Sequence, residues 1–212
     1  MNACMPDYVG FVFAKSKRQV DKFEARRIAR KLDPSIRLVG VFCDMPEEDV
    51  DEIASFVGLD VVQLHSDTTQ EYYDHLTALF EKRYPRRTRI WQRIAIPADA
   101  EGTESVLDRI RDYPELASFD ALLLDVKTDT RDGGAGVLFP WAVGKAVADC
   151  LSRQNSKIII AGGISAENAL EAEALFHPYA LDVSSSVETD GFKDREKVAG
   201  LIRTIREKAG KK

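Results

Sequence analysis

Seven short apolar runs punctuate the chain, at Val9–Phe13, Leu38–Phe42, Val61–His65, Ile90–Ile96, Ala121–Val126, Lys157–Ala161 and Ala180–Val183. Most are Val, Ile and Leu without clean polar alternation, the pattern of strands buried on both faces. Between the runs, apolar residues recur at helical spacing. Val50, Ile53, Ala54 and Val57 fall at i, i+3, i+4 and i+7, and Tyr72, Leu76, Leu79 and Phe80 form a second stripe. Val198, Leu201, Ile202 and Ile205 form a third, with a basic face opposite. Asp21 with Glu24, and Thr68 with Glu71, have capping-box spacing, and Ser165 is expected to cap the helix after Gly162-Gly163. The arginine-rich stretch Arg83–Arg89 has no period and predicts a solvated turn.

Strict alternation of strand and helix implies parallel strands joined by right-handed crossovers. An open doubly wound sheet and a (β/α)8 barrel both satisfy it. The open dinucleotide fold carries its glycine fingerprint after the first strand, where this chain reads Ala14-Lys15-Ser16-Lys17-Arg18. Its glycines come late, at Gly133-Gly134, Gly136 and Gly162-Gly163, followed by Ser184-Ser185-Ser186. A barrel builds its phosphate site on the loops after its last two strands, so the pattern favours a (β/α)8 TIM-barrel type. Seven of the eight strands are evident.

Composition narrows the function. The 212 residues are 44% apolar and 31% charged, as in a soluble globular protein with a core. No linker or low-complexity segment divides residues 1–212, so a single domain is expected. A net charge of −5 argues against general nucleic-acid binding. No apolar run approaches the roughly 20 residues needed to span a bilayer, and no secretory signal is evident. The three dispersed cysteines, Cys4, Cys43 and Cys150, fit a reducing cytoplasm rather than a disulfide framework.

Candidate chemistry gathers at strand ends. Leu122-Leu123-Leu124 runs into Asp125, and an apolar surround raises a carboxyl pKa, as a proton donor requires. Capping the next turn is the competing role. Gly162-Gly163 lets backbone N–H groups approach an anion ahead of a helix, or simply makes a tight turn. Asp182-Val183-Ser184-Ser185-Ser186 can complete a phosphate cradle. Arg18 suits a planar carboxylate, which a guanidinium grips with two parallel bonds. Gln63 and His65 alternate with Val62 and Leu64, so both can face a barrel lumen, although a strand histidine is commonly a satisfied core residue. Cys43 ends a strand but has the character of a small hydrophobe. No two of the three histidines have ligand spacing, which disfavours metal catalysis.

Jointly and in order, several motifs resemble the phosphoribosylanthranilate isomerase family, (β/α)8 enzymes of tryptophan biosynthesis. They are Val9-Gly10-Phe11-Val12-Phe13-Ala14 with Ser16 and Arg18, Val39-Gly40-Val41-Phe42, Val61-Val62-Gln63-Leu64-His65 and Leu122-Leu123-Leu124-Asp125. Gly133-Gly134-Ala135-Gly136, Ala161-Gly162-Gly163-Ile164 with Asn168, and Asp182-Val183-Ser184-Ser185 complete the set. The resemblance implies a cofactor-free Amadori rearrangement of N-(5-phosphoribosyl)anthranilate. It makes Asp125 the general acid and gives the substrate carboxylate to Arg18. The loops of Gly162, Gly163, Ser184 and Ser185, with Gly134, take the phosphate; Gln63, His65 and Asp182 lie near the substrate.

The family opens with a strand reading Lys-Ile-Cys-Gly, whose cysteine is the general base, and this sequence has no counterpart. It is therefore expected to lack the family's N-terminal strand and first helix. Ser66 and Ser186 stand where the family has glycine, and Ala135 where it has threonine. The alternatives are a non-catalytic phosphosugar-binding remnant of that family and a metal-dependent phosphosugar epimerase. The second is disfavoured by the scarcity of histidines.

Overall fold

Each apolar run forms a strand in the computed structural model, which describes residues 1–82, 88–96, 103–110, 116–126, 141–153 and 156–209. The strands are β1 (Tyr8–Val12), β2 (Arg37–Phe42), β3 (Val61–Leu64), β4 (Arg89–Ile96), β5 (Ala121–Val126), β6 (Ile158–Ala161) and β7 (Ala180–Leu181). The helices are α1 (Lys22–Ala29), α2 (Glu47–Val57), α3 (Gln70–Glu81), α4 (Thr103–Arg109), α5 (Trp141–Ser152), α6 (Ala169–Phe176) and α7 (Arg195–Ala209). The chain divides into two compact units, Met1–Arg93 with Asp112–Asp120, and Ile94–Arg111 with Ala121–Lys212.

In the first unit β1, β2, β3 and β4 pair in chain order and in parallel, with Val9 opposite Leu38, Gly40 opposite Val62 and Gln63 opposite Trp91. Two aspartates clamp the amino ends of these strands. Asp60 donates its N–H to the Leu38 carbonyl at 2.9 Å and accepts the Leu38 N–H on Oδ2 at 2.8 Å. Asp120 does the same with Ile90, at 2.9 and 3.0 Å.

The helical stripes turn inward as their spacing predicts. Val50, Ala54 and Val57 are buried on α2, as are Leu76 and Phe80 on α3. Asp21 caps α1 by accepting the Glu24 N–H at 2.7 Å. The second predicted cap shifts by one residue. Thr69 caps α3 by accepting the Tyr72 N–H, because the Thr68 hydroxyl is committed to Gln92 Oε1 at 2.5 Å in the core. No side chain caps α2 at Pro46; Glu47, Glu48 and Asp49 instead place negative charge against the positive end of its dipole. That helix stops at Gly58, whose φ of 83° is left-handed.

In the second unit β5, β6 and β7 are parallel, with Leu122 opposite Ile158, Asp125 opposite Ala161 and Ile160 opposite Leu181. Leu122, Leu123, Leu124, Ile158, Ile159 and Ile160 are all buried, as strands covered on both faces must be. The last strand is shorter than its apolar run: it ends at Leu181, and Val183 lies outside it. A hairpin absent from the sequence reading follows, β8 (Glu188–Thr189) with β9 (Phe192–Lys193). Its two-residue loop, Asp190-Gly191, has φ of 51° and 81°, the left-handed pair a tight hairpin turn requires. Ser165 does not cap α6 either. Its hydroxyl accepts the Glu167 N–H within the preceding turn, and α6 begins at Ala169.

Gly40 sits where β2 is most crowded. A Cβ there would lie 2.4 Å from Leu59 Cδ1 and 2.7 Å from Phe42 Cε2, and both neighbours are buried. Gly40→Ala should therefore destabilise the protein by about 1–3 kcal/mol through overpacking. The check is a lowered urea midpoint with an unchanged slope.

Candidate active site

Parallel pairing delivers the carboxyl ends of neighbouring strands to one edge, and within each unit the candidate residues collect there. In the first unit Gln63 is buried near the end of β3, and His65 follows just beyond it. Their side chains meet, with Gln63 Nε2 and His65 Nδ1 3.2 Å apart. The His65 backbone is fixed on both sides: its N–H donates to the Phe42 carbonyl at 2.8 Å, and its carbonyl accepts from Arg93 Nη1 at 3.4 Å. Gln92, fully buried on β4, holds the same loop by donating to the Ser66 and Arg93 carbonyls at 3.0 and 2.8 Å.

Arg18 lies exposed on the turn after β1, where its N–H donates to the Ser16 hydroxyl at 3.2 Å. Gln19 ties that turn down by donating to the Phe13 carbonyl at 3.1 Å. Cys43 is exposed just past β2, with Sγ 3.3 Å from Asp44 Oδ2. Partial desolvation and the Asp44 carboxylate push its thiol pKa up, while the Arg93 guanidinium pulls the other way. Cys43 thus offers little thiolate at neutral pH. The Asp44 N–H donates to the Ser66 hydroxyl at 3.2 Å, so this serine engages the neighbouring loop. The Tyr72 hydroxyl donates to the Met45 carbonyl at 2.8 Å, and burial, reinforced by Glu47, Asp44 and Glu48, pushes its pKa up to about 12. It remains a donor throughout the physiological range.

In the second unit Asp125 is half-buried at the next-to-last position of β5, opposite Ala161 and one register step from Gly162. The Asp182 N–H donates to the Ile160 carbonyl at 2.8 Å, which sets Asp182 just past β7 beside the same stretch of β6. Gly162 and Gly163 have φ of 86° and 67°, so successive peptides curl into a concave turn of the kind that receives anions. Asn168 spans this turn, its Oδ1 accepting the Ser165 N–H at 2.8 Å and its Nδ2 donating to the Gly163 carbonyl at 3.0 Å. The Ser186 hydroxyl donates to the Ile164 carbonyl at 2.6 Å, joining the loop after β7 to the glycine turn. The N–H groups of Gly163, Ile164 and Ser185 donate to no described residue. Gly134, the remaining expected contributor, lies outside the described residues, as do Gly133 and Gly136.

Sequence reasoning missed the residues that hold these loops. Gln92 gave no periodic or spacing signal, Asn168 stood in a motif without a role, and Ser186, read as part of the phosphate cradle, instead ties its loop to the glycine turn. Two other polar features share none of the candidate residues. His75 lies 3.6 Å from both Glu47 and Glu48, a contact that becomes an ion-pair triad between α2 and α3 when the imidazole is protonated. A cleft of about 580 Å³ is lined by Phe23, Arg26, Arg27, Arg30, Lys31 and Phe56.

A family model described as N-(5'-phosphoribosyl)anthranilate (PRA) isomerase matches residues 2–204. The chain belongs to the phosphoribosylanthranilate isomerase family. An N-(5'-phosphoribosyl)anthranilate isomerase of Acetivibrio thermocellus is 40% identical over 210 residues, 99% of this chain and 90% of that protein. One from Clostridium acetobutylicum is 39% identical over 206 residues, with 97% and 90% covered. The crystal structure of phosphoribosyl anthranilate isomerase from Thermotoga maritima is 30% identical, with a TM-score of 0.77 over 97% of this chain and 90% of that one. A further family structure, in complex with reduced 1-(o-carboxyphenylamino)-1-deoxyribulose 5-phosphate, is 28% identical with a TM-score of 0.75 and the same coverage. The α/β fold is thus of the (β/α)8 type, with seven parallel strands among the described residues. No described helix is long and apolar enough to cross a membrane.

The electrostatics at Cys43 can be read out by alkylation. At pH 8 iodoacetamide should modify Cys43 more slowly in the folded protein than in urea, with a rate that climbs as pH rises through the raised pKa. Asp44→Asn, which keeps a side chain tolerant of the left-handed φ of 49° at this position, should speed the reaction.

Proposed function

We propose that this chain catalyses the family's isomerisation of N-(5'-phosphoribosyl)anthranilate, with Asp125 as the general acid. Asp125 gives its proton to the ribose ring oxygen as the bond from that oxygen to C1 breaks, and the anthranilate nitrogen lone pair forms the imine. Loss of the C2 proton to a base then gives an enolamine, which tautomerises to the 1-deoxyribulose ketone. C1 is reduced and C2 oxidised within one molecule, so electrons balance without an external redox partner. Protons are delivered at two points, to the ring oxygen as it leaves C1 and to C1 in the tautomerisation, and the second is balanced by the proton lost from the C2 hydroxyl.

The observation that carries this reading is the register of the second unit. A half-buried carboxylate stands next to last in β5, opposite Ala161, and the Gly162-Gly163 turn begins at the next position, with the Gly163 and Ile164 N–H groups donating to no described residue. Acid and anion holder therefore belong to adjacent strand ends. On this assignment Gly162, Gly163, Ser184 and Ser185 hold the phosphate through backbone N–H groups and hydroxyls, with Gly134 as a further contributor. Arg18 takes the anthranilate carboxylate in charge-assisted bonds. His65 and Gln63 form a mutually bonded pair near the substrate, and the Arg93 and Gln92 contacts hold their loop. Asp182 supplies a second carboxylate near the reacting carbons.

Two substitutions separate the chemistry from the binding. Asp125→Asn should lower kcat/KM for N-(5'-phosphoribosyl)anthranilate by about 10²–10⁴-fold, the usual worth of a positioned acid, in an assay following loss of substrate fluorescence. Unaltered protein turning over no faster than Asp125→Asn would remove the assignment. Arg18→Met should instead raise KM, by roughly 10–100-fold for the loss of a charged hydrogen-bonding partner. An unchanged KM would free Arg18 from the carboxylate role.

A further inference from the structure

The hairpin after β7 is not a passive connection. Glu188 and Lys193 are cross-strand partners in it, and Lys193 Nζ donates to Glu188 Oε1 at 2.8 Å. The same ammonium donates to the Ser184 carbonyl at 2.8 Å, a shorter bond than the 3.4 Å one that carbonyl accepts from the Val187 N–H. Lys197 Nζ adds a bond to the Glu188 carbonyl at 2.8 Å. Asp194 anchors the hairpin to α7: its carboxylate accepts the Glu196 and Lys197 N–H groups at 2.8 and 3.2 Å and the Thr189 hydroxyl at 2.8 Å. Its own N–H donates to the Val187 carbonyl at 2.8 Å. The residues around Ser184 are thereby tied, through the hairpin, to a fifteen-residue helix.

A trans peptide fixes its C=O and N–H in opposite directions. Holding the Ser184 carbonyl on Lys193 therefore turns the Ser185 N–H the other way, and that N–H donates to no described residue. The glycine turn repeats the device, with the Gly163 carbonyl on Asn168 Nδ2 and the Ile164 N–H left facing away. Glu188 is only 11% exposed and neutralises Lys193, so the lysine acts through orientation rather than as a loose positive charge.

We infer that Lys193 is a positioning residue for phosphate, capturing the Ser184 carbonyl so that the Ser185 N–H is directed at the anion. This rests on the proposed assignment of the Ser184-Ser185 loop to phosphate. Sequence pattern gives Lys193 no role, since it lies beyond the strand end that carries the serines. The geometry gives it one without contact to the ligand.

The test uses two probes, reduced 1-(o-carboxyphenylamino)-1-deoxyribulose 5-phosphate and the same compound without its phosphate, in calorimetric titrations of the full chain. Lys193→Met should bind the phosphorylated probe about tenfold more weakly than the unaltered protein and the dephosphorylated probe equally well. A purely structural role for Lys193 would weaken both probes alike, and that result overturns the inference, as does an undiminished affinity for the phosphorylated one. Lys193→Gln, which keeps one donor, should show the same selective loss at about threefold, and it carries the contrast if Lys193→Met loses its far-UV helical signal. If unaltered protein binds both probes equally, the phosphate assignment itself falls and takes the inference with it. Selective loss on a protein that prefers the phosphorylated probe supports both.

Discussion

Register in the parallel ladders is the constraint on which the candidate site depends. In the second unit it sets Asp125 opposite Ala161 and brings the Gly162-Gly163 turn to the next position. A slip of one residue along β5 would send Asp125 to the other face of the sheet. Strands buried on both faces are poor at policing such slips, because apolar side chains satisfy either face. Leu122, Leu123 and Leu124 are all buried, as are Ile158, Ile159 and Ile160. Polar pins at the amino ends supply what alternation cannot. Asp60 exchanges two hydrogen bonds with Leu38, and Asp120 does so with Ile90, contacts that a one-residue shift would break.

The carboxyl ends are held by a different device. Side chains from neighbouring elements capture loop carbonyls: Gln92 takes those of Ser66 and Arg93, Tyr72 that of Met45, Asn168 that of Gly163 and Ser186 that of Ile164. A loop whose carbonyls are satisfied from outside keeps its N–H groups directed without spending them on its own structure. Two serines add further ties between adjacent loops: Ser66 accepts the Asp44 N–H, and Ser186 donates to the Ile164 carbonyl.

Much of the fold was legible in the sequence. All seven strands lie within one or two residues of their apolar runs, because Val, Ile and Leu runs bounded by polar turns leave little else to form. The helical stripes of α2 and α3 were equally plain, as was the Asp21 cap. Thr68 and Ser165 were misread for one reason: a hydroxyl near a helix start has several partners within reach. Only the folded chain shows that Thr68 is taken by Gln92 and Ser165 by its own turn. The Asp190-Gly191 hairpin did carry a turn signal, but its two-residue strands are too short for periodicity to mark. Asp125 and Gly162 stood out because strand ends concentrate chemistry. Asn168 and Gln92 did not, and the tie made by Ser186 was not foreseen, because the role of each lies in which carbonyl it meets, and spacing along the chain does not encode that.

Charge shows why such a site must be built locally. The proposed substrate carries a carboxylate and a phosphate, while the chain carries a net charge of −5. A uniform distribution would repel the ligand. The sequence is not uniform: residues 15–31 hold eight bases, Arg18 among them, against two acids, Asp21 and Glu24. Lys22 is drawn to Glu52, and Arg26 donates to the Phe56 carbonyl at 2.6 Å, so some of these cations are spent on packing α1 against α2. Arg18 lies on the turn before α1. At the phosphate end the proposed device is a set of peptide dipoles, which attract an anion at close range without adding net charge. Charged side chains exposed to water are screened within about 8 Å at physiological ionic strength, whereas peptide N–H groups touching the anion are not. On the proposed assignment, fixing those peptides through Asn168 and Lys193 outweighs the overall sign of the chain in holding the phosphate.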